Sequence, residues 1–157
     1  MRKEDRYYMS RALRYAQEAA RRGEVPVGAV IVNSAGLIIA GAGNRVERER
    51  SQSAHAEMRA VGQAGKKLGN WRLTGCSIYI TLEPCTACLA LLIQSRISEV
   101  IYAVDSPKYG FSLDKKVTFW LYLLPLRVRK VSAGEEQARS LLTLFFIEQR
   151  KGSRVRS

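Results

Sequence analysis

Histidine is almost missing from this chain, for His55 is the only one among 157 residues. Any step that needs an imidazole must use it. Cysteine is scarce too. Three thiols, Cys76, Cys85 and Cys88, form no even disulfide framework, which points to a reducing cytoplasm. Long apolar runs are absent as well. The longest, Val117 to Leu126, contains Thr118 and falls far short of the ~20 residues a membrane helix needs, so no membrane is expected as a partner. The charged N-terminus lacks the apolar core of a secretory signal, and Glu4 and Asp5 argue against an organelle transit peptide. No repeat period or low-complexity segment is visible. The length suits one domain, residues 1–157, with a sizeable core.

Acid is the remaining shortage. The chain has 14 acidic against 26 basic residues, a net charge of +12. The excess is uneven. Arg2, Lys3, Arg6, Arg11, Arg14, Arg21 and Arg22 load the first helical stretch; Arg127, Arg129, Lys130, Arg139, Arg150, Lys151, Arg154 and Arg156 load the last third. Clustered positive charge is the footprint of a polyanion, and it favours RNA over a free nucleoside.

Against these absences stand two short motifs, His55-Ala-Glu57 and Glu83-Pro-Cys85-Thr-Ala-Cys88. One imidazole and two thiolates are the ligand types a zinc ion takes, and a catalytic zinc keeps its fourth position for water. Glu57 supplies a carboxylate able to exchange a proton with that water. Cys85 and Cys88, three apart, share a helix face, and Pro84 suits a first helical position. His55 and Glu57 lie about 200° apart on a helix and cannot share its side. In a first turn both can lean over the open helix end. The spacing therefore predicts two helix N-termini converging on one metal.

The remaining pattern predicts a helix over 5–22, strands over 26–32 and 37–42 joined at Asn33-Ser-Ala-Gly36, and a polar connection over 44–53. A helix from near His55 to Gly69, a strand over 77–81 and a helix to about Arg96 follow. Strand 99–104 should pair in parallel with 77–81, because a helix separates them. After a polar loop over 105–116, the 117–126 run reads as a short buried helix or a strand. An edge strand over 127–132 and a helix over 135–151 complete an α/β three-layer α/β/α sandwich, a five-stranded mixed sheet with helices on both faces.

The two motifs resemble the signature of the zinc-dependent nucleic-acid and nucleoside deaminases, His-x-Glu followed by Pro-Cys-x-x-Cys. The segments Glu24-Val-Pro-Val-Gly-Ala-Val-Ile-Val32, Gly43-Asn-Arg45, Ala54-His-Ala-Glu-Met58, Tyr79-Ile-Thr-Leu-Glu-Pro-Cys85 and Ser95-Arg-Ile97 are similar, in order, to the bacterial tRNA adenosine deaminases. That resemblance implies the same sandwich fold, one zinc ion per chain held by His55, Cys85 and Cys88, and Glu57 as proton carrier. It implies a tRNA anticodon stem-loop as substrate, wobble adenosine converted to inosine, and a homodimer to which the 117–126 run is a candidate contributor. Val27 and Leu82 would wall the adenine and Asn44 would hydrogen-bond to the nucleotide. Asp105 and Lys108 would lie in an RNA-contacting loop, with Phe146 stacking and Arg150 meeting phosphate on the last helix.

The chain departs from the family pattern in three places. Asp105-Ser-Pro-Lys-Tyr-Gly110 is one residue longer than the usual Asp-x-Lys-x-Gly. Pro125-Leu126 replaces Asn-His before Arg127-Val128, and Ser51-Gln-Ser53 replaces Asp-Pro-Thr. All lie where substrate choice would be set.

Other readings of the same residues stay open at this point. Cys85 and Cys88 could form a redox pair at a helix start, which leaves the His-Ala-Glu motif without a job. Adding Cys76 could close a structural Cys₃His zinc site. Val27 and Leu82 could be plain core, and Asn44 could fix a turn. At the level of function the alternatives are a small-molecule deaminase acting on guanine, cytosine or a nucleoside, and a non-catalytic zinc-containing RNA-binding module.

Overall fold

Alternation along one strand fixes the layers. In β1 (Gly28–Val32) successive side chains point to opposite faces, so Ala29 and Ile31 enter one apolar cluster while Val30 and Val32 enter another. Every residue of β1 is buried. The strand therefore runs through the middle of a sheet covered on both sides. The computed structural model describes residues 2–116 and 124–154.

Five strands make that sheet: β1, β2 (Ile38–Gly43), β3 (Ser77–Leu82), β4 (Glu99–Val104) and β5 (Arg127–Lys130), in the order β2-β1-β3-β4-β5. β1 pairs antiparallel with β2 and β3, while β3–β4 and β4–β5 are parallel. The helical connection between β3 and β4 sets that parallel pair, as the spacing predicts. Partial exposure along β5 marks it as an edge.

Helices α1 (Lys3–Arg21) and α5 (Glu135–Arg154) cover one face, where Met9, Ala12, Leu13 and Ala138 meet Val30, Tyr79 and Ile101. α1 lies so close that a Cβ on Gly28 would fall 2.1 Å from the Ala12 carbonyl oxygen. Helices α3 (Ala56–Leu68) and α4 (Thr86–Gln94) cover the other face, burying Ala56, Ala60, Ala64, Leu89 and Leu92 against Ile31, Ile78 and Ile80. Gly69 ends α3 in the left-handed conformation, with φ 61°.

Three local expectations need correction. Pro84 is not the first helical residue. Cys85 occupies the N-cap and Pro84 precedes it, because the Cys85 sulfur itself accepts the Cys88 N–H. The 44–53 connection is not plain loop but holds a one-turn helix α2 (Val46–Glu49) and a 3₁₀ turn (Gln52–Ala54). The buried Glu24 carboxylate makes that turn possible by accepting the N–H groups of Glu47 and Arg48. The 105–116 loop likewise contains a 3₁₀ turn, Phe111–Leu113, whose Phe111 is buried. Of the 117–126 run, residues 117–123 lie outside the described residues, and Leu126 packs in the α3/α4 core. Among the described residues no helix is long and apolar enough to cross a membrane.

A buried ionic network ties α1 to the sheet. Asp5 and Glu99, 0% and 2% exposed, share the Arg129 guanidinium; two of its nitrogens reach Asp5 at 2.9 and 2.7 Å, and Nε reaches Glu99 at 3.1 Å. Arg2 donates to Glu99, and the Tyr79 hydroxyl donates to Asp5 at 3.0 Å. Burial alone would raise the Asp5 pKa, but hydrogen bonds from Arg129, the Arg2 amide and Tyr79 override it and hold the carboxyl down at about 2. A carboxyl depressed by folding adds stability that is complete above its unfolded value of about 4 and vanishes as pH falls through the folded value. Thermal unfolding should therefore show the melting temperature falling between about pH 4 and pH 2, more steeply than in Asp5→Asn. That variant should already be weaker at pH 7 by about 2–3 kcal/mol, since it leaves Arg129 short of an anionic partner.

Candidate active site

The site sits where β3 ends and two helices begin. β3 delivers Leu82, the chain turns through Glu83 and Pro84, and Cys85 caps α4. Cys88 follows in the first turn. Across from it His55, in extended backbone at φ −60° and ψ 148°, is the N-cap of α3, and Glu57 lies in that helix's first turn. Neither cap carries the usual Ser, Thr, Asp or Asn. The two capping positions are occupied by an imidazole and a thiol, so both helix starts turn donor atoms inward.

His55 Nδ1 lies 3.3 Å from Cys88 Sγ and 3.8 Å from Cys85 Sγ, and the three donor atoms lie within 4.8 Å of one another. Tetrahedral zinc with bonds of about 2.0 Å to nitrogen and 2.3 Å to sulfur requires donor–donor edges of roughly 3.5–3.8 Å. The spacing fits. Cys76 is buried in the core and stands outside this group, which removes it as a fourth ligand. His55 and Cys85 are only part-buried, while Cys88 is buried and Glu57 is 4% exposed.

Electrostatics are those of a cluster short of positive charge. The Cys85 thiol is held down to about 4, chiefly by the Cys88 hydrogen bond and then, against burial, by His55. The same bond and burial drive the Cys88 thiol up. His55 is raised by its hydrogen bond to Cys85 and by the charges of Glu57 and Cys85, while burial opposes the shift. Burial raises Glu57. The positive ends of α3 and α4 favour thiolate here, the form that binds a divalent cation.

The other predicted residues fall into two groups. Asn44 is buried at the site, where its Oδ1 accepts the Ala56 N–H at 2.8 Å and its own N–H donates to the Val27 carbonyl at 3.1 Å. It thereby fixes the turn that places His55. Val27 belongs to the α3/α4 core and half-buried Leu82 touches both clusters. Lys108 lines an open cavity of about 800 Å³ together with Cys85, Thr86, Tyr109 and Leu113. Asp105 is exposed and accepts from Lys130 Nζ at 2.6 Å. Phe146 and Arg150 lie exposed on α5, with Arg150 Nε donating to the Phe146 carbonyl, and neither lines that cavity. Sequence reasoning gave no role to Glu24, Glu83 or Tyr109. The only available signal for Glu83 was a carboxylate placed between an apolar strand and a Pro-Cys turn.

Comparison with known proteins agrees with this geometry. Residues 2–104 match the family of the cytidine and deoxycytidylate deaminase zinc-binding region. The chain is 40% identical over 153 residues to the tRNA-specific adenosine deaminase of Bacillus subtilis, covering 94% of this chain and 92% of that protein. It superposes with a TM-score of 0.79 and 35% identity on a solved tRNA:A34 deaminase described as editing A to I at the wobble position, covering 87% and 99% of the two chains. The Bacillus subtilis guanine deaminase is also similar, with a TM-score of 0.64 and 34% identity over 74% of this chain and 76% of that one.

If the three donors hold zinc, Cys88→Ala should lose it during gel filtration while Cys76→Ala keeps it, as read by elemental analysis of the eluted protein. Equal retention in both variants would place the ion elsewhere.

Proposed function

The chain belongs to the zinc-binding deaminase family of the cytidine and deoxycytidylate deaminases, alongside the tRNA-specific adenosine deaminases, and from that premise we propose that it converts wobble adenosine in a tRNA anticodon stem-loop to inosine. The observation that carries the reaction is the buried Glu57 carboxylate beside the His55, Cys85 and Cys88 donor atoms. The substrate rests on the relatives and on the +12 charge. We place the enzyme in the cytoplasm, as a homodimer with one zinc per chain.

His55, Cys85 and Cys88 would hold zinc, which would supply the Lewis acidity that activates a water. Glu57 accepts a proton from the attacking water and passes it to N1 of the purine. A second proton travels through Glu57 to the amine leaving C6. The water oxygen ends on C6, so adenosine and water become inosine and ammonia. Burial raises the Glu57 pKa, which favours a carboxyl that can hold a proton between the two transfers. The base must flip out of its loop to reach the site. Val27 and Leu82 wall it, Asn44 binds the nucleotide, Asp105 and Lys108 meet the flanking RNA, and Phe146 stacks while Arg150 meets phosphate.

The direct test is inosine and ammonia release from an anticodon stem-loop carrying adenosine at the wobble position. Free guanine and cytidine are assayed in parallel, since the likeness to guanine deaminase makes turnover of guanine the result that would displace this reading. Glu57→Ala should keep zinc and lose about 10²–10⁴-fold in turnover. Replacing Arg150 and Lys151 with alanine should lower the slope of log K against log salt by about 1–2. An unchanged slope would move the RNA to another surface.

A further inference from the structure

Beside the metal turn lies a buried carboxylate that the mechanism does not use. Glu83 is 3% exposed. Its Oε2 accepts the Ser106 N–H and its Oε1 the Ser112 N–H, both at 2.9 Å. Its own N–H donates to the Val104 carbonyl at 2.7 Å. One side chain therefore grips both ends of the loop that carries Lys108 and Tyr109.

The grip is reinforced on each side. The Phe111 N–H donates to the Pro84 carbonyl at 3.0 Å, Cys85 and Gly110 form a β-bridge, and Phe111 is buried edge-on to Tyr102. The Gly110 N–H closes a turn onto the Ser106 carbonyl at 3.1 Å. Lys108 and Tyr109 thus lie between two anchored amides. Tyr109 is 76% exposed there, beside the cavity that Cys85 and Thr86 help to line. Gly110 passes so close to the carboxylate that a Cβ would fall 2.1 Å from Oε2.

We propose that Glu83 is a positioning residue which clamps the Ser106–Ser112 loop to the metal turn, so that the Lys108–Tyr109 tip is held ready to bind RNA beside the reacting nucleotide. The second half of that statement rests on the RNA reading above; the clamp itself does not. Lys108 offers a cation to phosphate and Tyr109 a ring on which a flanking base can stack.

Glu83→Gln tests the clamp, because one of its two acceptors becomes an NH₂ that faces an amide donor in either orientation. Gly110→Ala is the second variant. Its φ of −62° suits any residue, so the only obstacle is the added methyl against Glu83. Both variants should retain zinc, keep kcat within about threefold and raise KM for the stem-loop about tenfold or more. Trypsin cleavage after Lys108, which needs no substrate, should accelerate about tenfold as the loop is released. Unchanged cleavage in both variants would overturn the clamp. Faster cleavage with an unchanged KM would overturn the loop's part in RNA binding, and joint loss of zinc and kcat would reduce Glu83 to a support of the metal turn. A wild-type protein that makes no inosine would instead overturn the RNA reading, while the cleavage comparison still decides the clamp.

Discussion

Two helix N-termini meet at one point in this protein, and the residues that cap them, His55 and Cys85, are also the donors aimed at that point. This single constraint organises the rest. Both caps have extended backbone; the Cys85 sulfur turns back to accept the Cys88 N–H, whereas the His55 imidazole makes no cap hydrogen bond and is placed by the turn that Asn44 fixes. The helix dipoles then favour the thiolate form that a cation needs. The first turn of α3 also buries the Glu57 carboxylate, the proposed proton carrier, and Asn44 secures the approach by taking the Ala56 N–H.

The sheet holds those helix starts in place through opposed chemistries at its two ends. At the C-terminal end of β3 lie the donors, the cavity and the Glu83 clamp, which is where ligands bind in open α/β sheets. At the start of β4 lies the network of Asp5, Glu99, Arg129 and Arg2, which fastens α1 and the edge strand β5 to the sheet. Between them the core is apolar on both faces. The buried carboxylates Asp5 and Glu99 belong to the one end and Glu57 and Glu83 to the other.

How much of this was legible in the sequence varied with the range of the interaction. β4 was read to the residue, since Glu99–Val104 is a short apolar run with clear bounds. The hairpin of β1 and β2 was legible from its Asn-Ser-Ala-Gly turn, and the convergence of two helix starts from the two-residue and three-residue spacings of the donors. Pro84 lies two positions before the first helical residue, Thr86, rather than at it, because a cysteine sulfur acting as a helix cap has no strong propensity signal. Groups whose partners lie far along the chain left no local trace. Asp5 meets Arg129 across 124 positions and Glu24 meets Arg48 across 24. Glu83 was visible as a letter in a motif, but its task depends on two amides 23 and 29 residues away.

Zinc K-edge X-ray absorption on the purified protein tests the central claim most directly, because it reports the ligand set at the metal itself. The account predicts two sulfur scatterers at about 2.3 Å, with one imidazole nitrogen and one further light atom at about 2.0 Å. A shell of three or four sulfurs, or zinc bound without any sulfur, would contradict it.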